Sequence, residues 1–96
     1  MKIDYKYITK YYLNILNFLA TIFGQYAVVK KFLELGIDKN AADLQGETCL
    51  HYASKCGFPL IIKLLLDHGA NPTIKNGTGA SPKDLAAYPS IISQFM

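Results

Sequence analysis

The sequence predicts an all-α fold in which pairs of short helices stack side by side as repeated units. The first observation is a common register of 33 residues, which separates Gly24 from Gly57 (57 − 24) and Gly36 from Gly69 (69 − 36). The second is that Gly24, Gly36 and Gly69 each follow an apolar helical pattern, as expected at helix termini. The third is the helical spacing of the apolar residues between them. Together they indicate about 2.5 to 3 helix-turn-helix units joined by short hairpin connectors.

The N-terminal part of the chain divides into an arm and a first unit. Residues 1–10 lack a helical period and are expected to form an extended arm. Residues 11–42 form the first unit, with a first helix that starts at Tyr11 and ends at Gly24. Its second helix is predicted from about Tyr26 to Leu35, where the apolar residues form one stripe.

The middle unit, residues 43–75, carries the strongest helix signals. Thr48 is a suitable N-cap for the first helix, because its hydroxyl can accept a hydrogen bond from an unpaired backbone N–H. Pro59 suits the first turn of the second helix, where the missing N–H costs nothing. The residues predicted to form the centre of the core are Leu50, Ala53, Leu64 and Leu65.

The last unit, residues 76–96, is predicted to be the polar end of the stack. Lys83 occupies the position of Leu50 in the middle unit (83 − 50 = 33). A lysine would be costly in a core, so this face is expected to be exposed. The second helix of this unit is short and follows Pro89. The unit is therefore interpreted as a truncated terminal cap.

The middle unit resembles the ankyrin repeat family, whose repeat begins Asp-x-x-Gly-x-Thr-Pro-Leu-His-x-Ala and ends Leu-Leu-x-x-Gly-Ala. The matching residues are Asp43, Gly46, Thr48, Leu50, His51, Ala53, Gly57, Leu65, Leu66, Gly69 and Ala70. The flanking units match at fewer positions, so the chain resembles one well-matched ankyrin repeat with a degenerate repeat on each side. The resemblance implies an ankyrin-repeat solenoid that binds a protein partner and is not an enzyme.

The resemblance also implies where a partner would bind. In ankyrin proteins, the hairpin tips and the exposed end of the first helix of each unit line a concave face. Carrying these positions across the units yields a predicted partner-binding set of Tyr11, Tyr12, Ile22, Phe23, Leu44, Gln45, Glu47, Lys55, Cys56 and Thr78. The aromatic and apolar members in the first unit are typical of interface anchors. The alternative is that they pack beneath the arm or a missing upstream repeat.

Three features invite a catalytic or ligand-binding interpretation, and each is better explained by structure. His51 is the structural histidine of the family motif, and no nucleophile or second histidine shares a motif with it. Asn40 stands where ankyrin proteins can carry an asparagine that is hydroxylated, but it is expected to tie a hairpin together. Residues 77–79 lack the Lys-Ser/Thr of a phosphate loop and are predicted to be a hairpin turn. No cofactor or metal is expected.

Composition argues against nucleic acid as the partner and for a reducing compartment. The net charge of +3 arises from scattered lysines, with 10 basic and 7 acidic residues. Cys49 and Cys56 are seven residues apart (56 − 49) on one predicted helix. Their Cα atoms would then be about 10 Å apart, which is too far for a disulfide. Free thiols indicate the cytoplasm, or that of a host cell if the chain comes from an intracellular microbe. A monomer is expected.

Two alternatives remain open at the level of sequence. The stretch from Tyr11 to Val29 contains no charged residue and has lysines on both sides, so the chain could be a membrane-tethered ankyrin protein with residues 11–29 inserted. Against this, the stretch contains polar residues and Gly24, at which the repeat register requires a turn. The second alternative is a non-functional remnant of a longer ankyrin array, suggested by the apolar first unit and the shortened last one.

Overall fold

Helices account for the regular secondary structure of residues 4–96, which are the residues that the computed structural model describes. The elements are α1 (Tyr5–Ile22), α2 (Tyr26–Glu34), α3 (Cys49–Cys56), α4 (Pro59–Asp67) and α5 (Pro89–Ile92), with 3-10 turns at Lys83–Leu85 and Ser93–Phe95. This part of the chain contains no strand. The predicted all-α class is therefore confirmed.

The helices are arranged as stacked pairs. Helix α1 packs against α2 within the first pair, and α3 packs against α4 within the second. The pairs stack on one another through contacts of α1 with α3 and of α2 with α4. In the third pair, the turn Lys83–Leu85 takes the place of the first helix and packs on α3. The solenoid predicted from the 33-residue register is therefore present.

The core lies between the first and second pairs. The four residues predicted to form its centre, Leu50, Ala53, Leu64 and Leu65, are all buried. Apolar side chains from neighbouring elements join them, among them Val29 of α2 and Ile91 of α5. Each helix pair thus buries its apolar stripe against the next pair, which is how a repeat stack gains its stability.

The ends of α3 and α4 follow the predicted capping residues. The Thr48 hydroxyl accepts a hydrogen bond from the backbone N–H of His51 at the start of α3. Gly57 ends this helix with a φ of +73°, in the left-handed region that favours glycine. Pro59 occupies the first turn of α4, as predicted.

The extended N-terminal arm predicted for residues 1–10 is wrong where the structure describes it. Helix α1 begins at Tyr5, and residues 1–3 lie outside the described part of the chain. The Asp4 side chain accepts a hydrogen bond from the backbone N–H of Lys6 at 3.0 Å and so caps the helix. Once this cap starts the helix, the tyrosines and lysines that follow continue it into the first unit.

Helix α1 also spans residues 10–14, which lie 33 residues before a hairpin of the second unit. In the second unit, the equivalent hairpin depends on Asp43, whose carboxylate binds backbone N–H groups, and on Gly46 with a φ of +77°. Lys10 and Leu13 stand 33 residues earlier and can do neither. Without an acceptor side chain or a left-handed residue, the backbone stays helical. Tyr11 and Tyr12 therefore lie on a helix and not at a hairpin tip.

The uncharged stretch from Tyr11 to Val29 is divided between two helices. Helix α1 ends at Ile22, Gly24 adopts a φ of +68°, and α2 begins at Tyr26. The backbone N–H of Gln25 bonds back to the carbonyl of Ala20 at 2.8 Å, which closes the turn. No helix within residues 4–96 combines the length and the apolar character needed to cross a membrane.

The last unit covers the C-terminal end of the stack. Lys83 is exposed, as the polar cap interpretation requires. The Ser54 hydroxyl donates to the Pro82 carbonyl at 2.6 Å, and the Tyr88 hydroxyl donates to the Gly57 carbonyl at 2.7 Å. These bonds connect the unit to α3 and to the turn that follows it. Ile91 is buried beneath this cover.

Candidate partner-binding groove

The hairpin that follows the first helix pair is held by one aspartate. The Asp43 carboxylate accepts hydrogen bonds from the backbone N–H groups of Gln45 and Glu47, each at 2.9 Å. The Gly46 N–H bonds to the Asp43 carbonyl at 2.9 Å and closes the turn. Leu44 projects from the tip and is fully exposed. The hairpin is therefore a rigid support for an apolar side chain.

The next hairpin repeats this network with an asparagine. The Asn76 amide oxygen accepts from the backbone N–H groups of Thr78 and Ala80, at 3.0 and 2.9 Å. The two tips are linked, because the Gly77 N–H donates to the Gln45 carbonyl at 2.8 Å. Residues 77–79 thus belong to a hairpin turn, as predicted.

A groove lies between the N-terminal half of α1 and the first hairpin. Its volume is about 350 Å³. One wall is a helical stripe, and the other is the hairpin with its tip. The lining residues are Tyr11, Asn14, Ile15, Phe18, Ala42, Asp43, Leu44 and Gln45. The groove exists because α1 continues past the point where a hairpin would have turned the chain away.

Aromatic and charged side chains of α1 and α3 surround Asp43 at the edge of the groove. The Tyr52 hydroxyl donates to the second oxygen of the Asp43 carboxylate. The ring of Phe18 meets that of Tyr52 edge-on, with centroids 5.8 Å apart. Lys55 places its ammonium 4.9 Å from the centroid of the Tyr52 ring. Helix α3 thus supports the hairpin from behind.

The charge on Asp43 is stabilised by these contacts. Burial raises the pKa of its carboxyl, but the bond from Tyr52, the backbone N–H groups of Glu47 and Gln45, and the charge of Lys55 oppose it. The net effect is a pKa below the ordinary value. Burial and the bond to Asp43 raise the pKa of Tyr52, so this hydroxyl remains a donor.

Glu47 belongs to the interior and not to a contact surface, which corrects its place in the predicted set. The residue is buried, and its carboxylate binds the ammonium of Lys55 and the side-chain amide of Asn76. Burial raises the pKa of this carboxyl, but the bonds from Lys55 and Asn76 lower it overall. Glu47 therefore joins two hairpins to α3.

The structure brings some of the predicted contact residues together and separates others. Tyr11, Leu44 and Gln45 line the groove, and Tyr12 is exposed with its ring 5.7 Å from that of Tyr11. Five others lie elsewhere: Ile22 and Phe23 at the C-terminal end of α1, Lys55 and Cys56 at that of α3, and Thr78 at the second hairpin tip.

Sequence reasoning missed several residues of the groove. Ile15, Phe18 and Ala42 line it but were not predicted as contact residues. The signal was present, since Tyr11, Ile15 and Phe18 follow helical spacing and share a face. The predicted first helix contains all three residues, but the contact set was carried across the units by the 33-residue register and not taken from the faces of this helix.

His51 has the structural role that was predicted. Its Nδ1 accepts a hydrogen bond from the backbone N–H of Thr48 at 3.0 Å, so the proton of the neutral ring lies on Nε2. Nε2 is 3.0 Å from the Ala80 carbonyl, to which it donates. Nδ1 thus completes the cap of α3, and Nε2 links this helix to the second hairpin.

The two cysteines and Asn40 have separate surroundings in residues 4–96. Cys49 is buried, and burial raises the pKa of its thiol to about 11, so it stays protonated. Cys56 is exposed and unpaired within the described residues. The Asn40 amide oxygen accepts from the backbone N–H of Asn71 at 2.8 Å, which is the hairpin tie expected for it. Residues 4–96 contain no cluster of His, Cys, Asp or Glu suited to a metal ion.

Stacked helix pairs joined by hairpins make this chain a helical repeat protein. A family model described as ankyrin repeats, in three copies, matches residues 4–87. The chain belongs to the ankyrin repeat family. Ankyrin repeats generally act as protein–protein interaction modules, and the family is generally non-catalytic.

Known proteins resemble this chain over a limited segment. Regulatory protein SWI6 of Kluyveromyces lactis is 46% identical over 48 residues, or 50% of this chain and 6% of that protein. Ankyrin repeat and SOCS box protein 16 of Mus musculus is 42% identical over 60 residues, or 62% of this chain and 13% of that protein. Inactive serine/threonine-protein kinase TEX14 of Bos taurus is 34% identical over 65 residues, or 68% of this chain and 4% of that protein. The chain thus spans a small part of each relative.

Proposed function

We propose that this chain is a non-catalytic protein-binding module that holds its partner in the groove between α1 and the first hairpin. The observation that carries the proposal is a cavity of about 350 Å³ with an exposed aromatic residue, Tyr11, on one wall and a fully exposed Leu44 on the other. A concave site with apolar walls and few polar groups is the usual form of a binding site.

The rigidity of both walls supports the proposal. Tyr11 stands on a helix of 18 residues, and Leu44 stands on a hairpin held by the Asp43 carboxylate. A surface that is already ordered loses little conformational entropy on binding, which favours affinity. The partner would insert an apolar side chain between these walls.

Five of the predicted residues would form a second contact region. Lys55 and Cys56 end α3, while Ile22 and Phe23 end α1, about 18 Å along the helix from Tyr11 at 1.5 Å per residue. Thr78 lies at the second hairpin tip. A partner longer than the groove could reach these residues along the concave face. Their role in partner binding stays a prediction.

The groove is tested by peptide selection followed by substitution. Peptides selected from a random display library on the wild-type chain would be synthesised, and their dissociation constants measured by fluorescence polarisation. We expect Tyr11→Ala to weaken binding at least about tenfold, because buried aromatic anchors dominate interfaces. Leu44→Asp should weaken binding as well, because it places a charge at the hairpin tip.

The matched control is Leu60→Asp, which makes the same change at another exposed leucine, on α4 and outside the groove lining. It should leave the dissociation constants unchanged. If the selected peptides tolerate both groove substitutions but are lost with Leu60→Asp, the partner surface is on the other side of the molecule. Circular dichroism of each variant would verify that the fold is retained.

We further propose a reducing compartment such as the cytoplasm, supported by two cysteines that are both free. Cys49 is buried in the core beside Asn17, whose amide lies 3.3 Å from its sulfur. A thiol in this position serves packing, since it is protonated and shielded from solvent.

A further inference from the structure

One face of α1 has no partner in the described structure. Six large apolar side chains on it are between 42% and 71% exposed. These are Tyr5, Ile8, Tyr12, Leu16, Leu19 and Phe23. We call this set the outer stripe. Scattered exposed apolar residues are normal, but a contiguous row of six is the kind of patch that marks an interaction surface.

The outer stripe follows the period of an α-helix. Its members are spaced by three or four residues from Tyr5 to Phe23, so they form one line along the helix. The buried residues of α1, among them Phe18 and Thr21, lie on the opposite side, where α1 packs on α3. The outer stripe is therefore the open end of the repeat stack.

The area of the outer stripe matches that of a stable interface. The three aromatic members present about 150–250 Å² each and the three aliphatic members are smaller, so the exposed fractions of the six residues correspond to at most on the order of 700 Å² per copy. Specific interfaces bury roughly 800 Å² on each partner. All six members are uncharged at neutral pH, as expected for the desolvated centre of a homodimer.

The opposite end of the stack offers no match for the outer stripe. Among residues 76–96, the exposed large hydrophobic side chains are Tyr88, Ile92 and Met96, and Tyr88 already bonds to the Gly57 carbonyl. Lys83 and an acidic neighbour are exposed on the 3-10 turn that covers α3. Head-to-tail stacking of copies would set the apolar stripe against this polar cap. The best complement within a second copy is therefore the same stripe.

The charged residues of α1 lie on a different face from the outer stripe. Lys6 and Lys10 are the charged residues of this helix, and both line a hollow that Asp38, beyond the end of α2, also lines. Helical spacing sets them more than about 100° around the helix from the middle of the outer stripe. Pairing through the stripe therefore brings apolar side chains together without a charged side chain of α1 between them. We propose that two copies of this chain pair through the outer stripe to form a closed dimer, in place of the monomer expected from the sequence.

The dimer is tested by measuring mass in solution. Sedimentation equilibrium of the full chain up to about 100 μM should give twice the mass of the 10.7 kDa chain. Leu16→Lys and Leu16→Glu each place a charge near the middle of the stripe, where the two copies of this residue come close. Each variant alone should sediment as a monomer at concentrations where the wild type is a dimer.

An equimolar mixture of the two variants provides the decisive measurement. Opposite charges then face each other, so the mixture should form a dimer although neither variant does so alone. Leu60→Lys is the matched control, because it charges an exposed leucine outside the stripe and should stay dimeric. Circular dichroism would confirm helical folding, with Tyr12→Lys as a replacement if position 16 variants do not fold.

Three results would overturn the proposal. A wild-type chain that remains monomeric over this range means that another protein or nothing covers the stripe. A series of assemblies larger than two indicates head-to-tail stacking. A dimer that survives Leu16→Lys but is lost with Leu60→Lys uses a different face. None of these results depends on peptide binding in the groove, so the dimer and the proposed function fail separately.

Discussion

The two ends of the stack share a repeat register but end in opposite ways. At the C-terminal end, the third unit has lost its helix length. Ile91 of its short helix α5 is buried, and Tyr88 and Gln94 bond to backbone carbonyls of the second unit. At the N-terminal end, the first helix has grown to 18 residues. No unit among residues 4–96 covers its outer face, which presents the outer stripe.

The comparison shows that a repeat can degenerate by closing a surface or by creating one. A short polar unit hides the apolar face of the repeat before it, which ends the stack. A lengthened helix instead adds apolar surface and also forms the wall of a groove. The middle unit, which matches the family motif best, supplies the core to which both ends attach, so the differences between the ends can be probed by matched substitutions.

The largest expected contrast is between a covered and an uncovered residue. Ile91→Ala removes a side chain that is 1% exposed and should lower the free energy of unfolding by about 2–5 kcal/mol. Leu16→Ala removes one that is 50% exposed and should change it by less than about 0.5 kcal/mol in dilute samples, where the chain is monomeric. Urea titration followed by circular dichroism measures both.

Equal losses for the two variants would contradict this view of the ends. A large loss for Leu16→Ala in dilute solution would mean that the outer stripe packs against part of its own chain. Repeating the titration at high concentration separates this case from dimerisation, because only a dimer makes the stability depend on concentration.

The core of this fold could be predicted because its signals are local. Glycine at a helix end, proline in a first turn and leucines at helical spacing each act through nearby backbone, so Leu65 and Gly57 were placed correctly. The first helix was predicted from Tyr11, but its first turns over residues 5–10 were assigned to an extended arm, although they depend on equally local facts. The Asp4 side chain that accepts from the backbone N–H of Lys6 is a cap of this kind, and it was not used as a helix start.

The candidate site was harder to predict than the core, because it depends on tertiary contacts. Glu47 was expected at the surface, but Asn76, which lies 29 residues away, and Lys55 both bind its carboxylate. The groove itself needs the lengthened α1 to lie beside the hairpin. No sequence pattern within α1 or within the hairpin predicts that the two lie side by side.

A second, smaller contrast concerns two glycines with the same backbone conformation. Gly57 has a φ of +73°, and a Cβ there would lie 2.6 Å from the Tyr88 ring. Gly36 has a φ of +80°, and a Cβ would meet nothing within 4 Å. Gly36→Ala should cost about 1–2 kcal/mol for the left-handed backbone alone. Gly57→Ala should cost about 1 kcal/mol more, because Tyr88 must move and lose its bond to the Gly57 carbonyl.

Thermal and urea unfolding of the two glycine variants measure this difference. A double variant that combines Gly57→Ala with Tyr88→Ala provides the control, since removing the ring removes the steric conflict. In that background, the added cost of Gly57→Ala should fall to that of Gly36→Ala. If it does not, the covering unit does not contact the turn after α3 in solution.

The smallest effect expected is a difference in acid sensitivity between the hairpin beside the groove and the C-terminal cap. Asp43 and Glu47 have folded-state pKa values below their ordinary values of 3.8 and 4.5. The unfolded chain therefore binds protons more readily at these two carboxylates. They stabilise the fold fully above pH 4.5, and this stability is lost as the pH falls below the ordinary pKa values and through the lower folded-state pKa values. The melting temperature should decrease over this window.

Asp43→Asn copies Asn76 of the second hairpin. It keeps the acceptor for the backbone N–H groups and should flatten the decrease. Asp84→Asn changes an exposed aspartate whose pKa is also lowered, and it should flatten the decrease less, since solvent screens its bonds to Ser81. An equal effect of the two variants would mean that acid acts on the C-terminal cap as much as on the hairpin beside the groove.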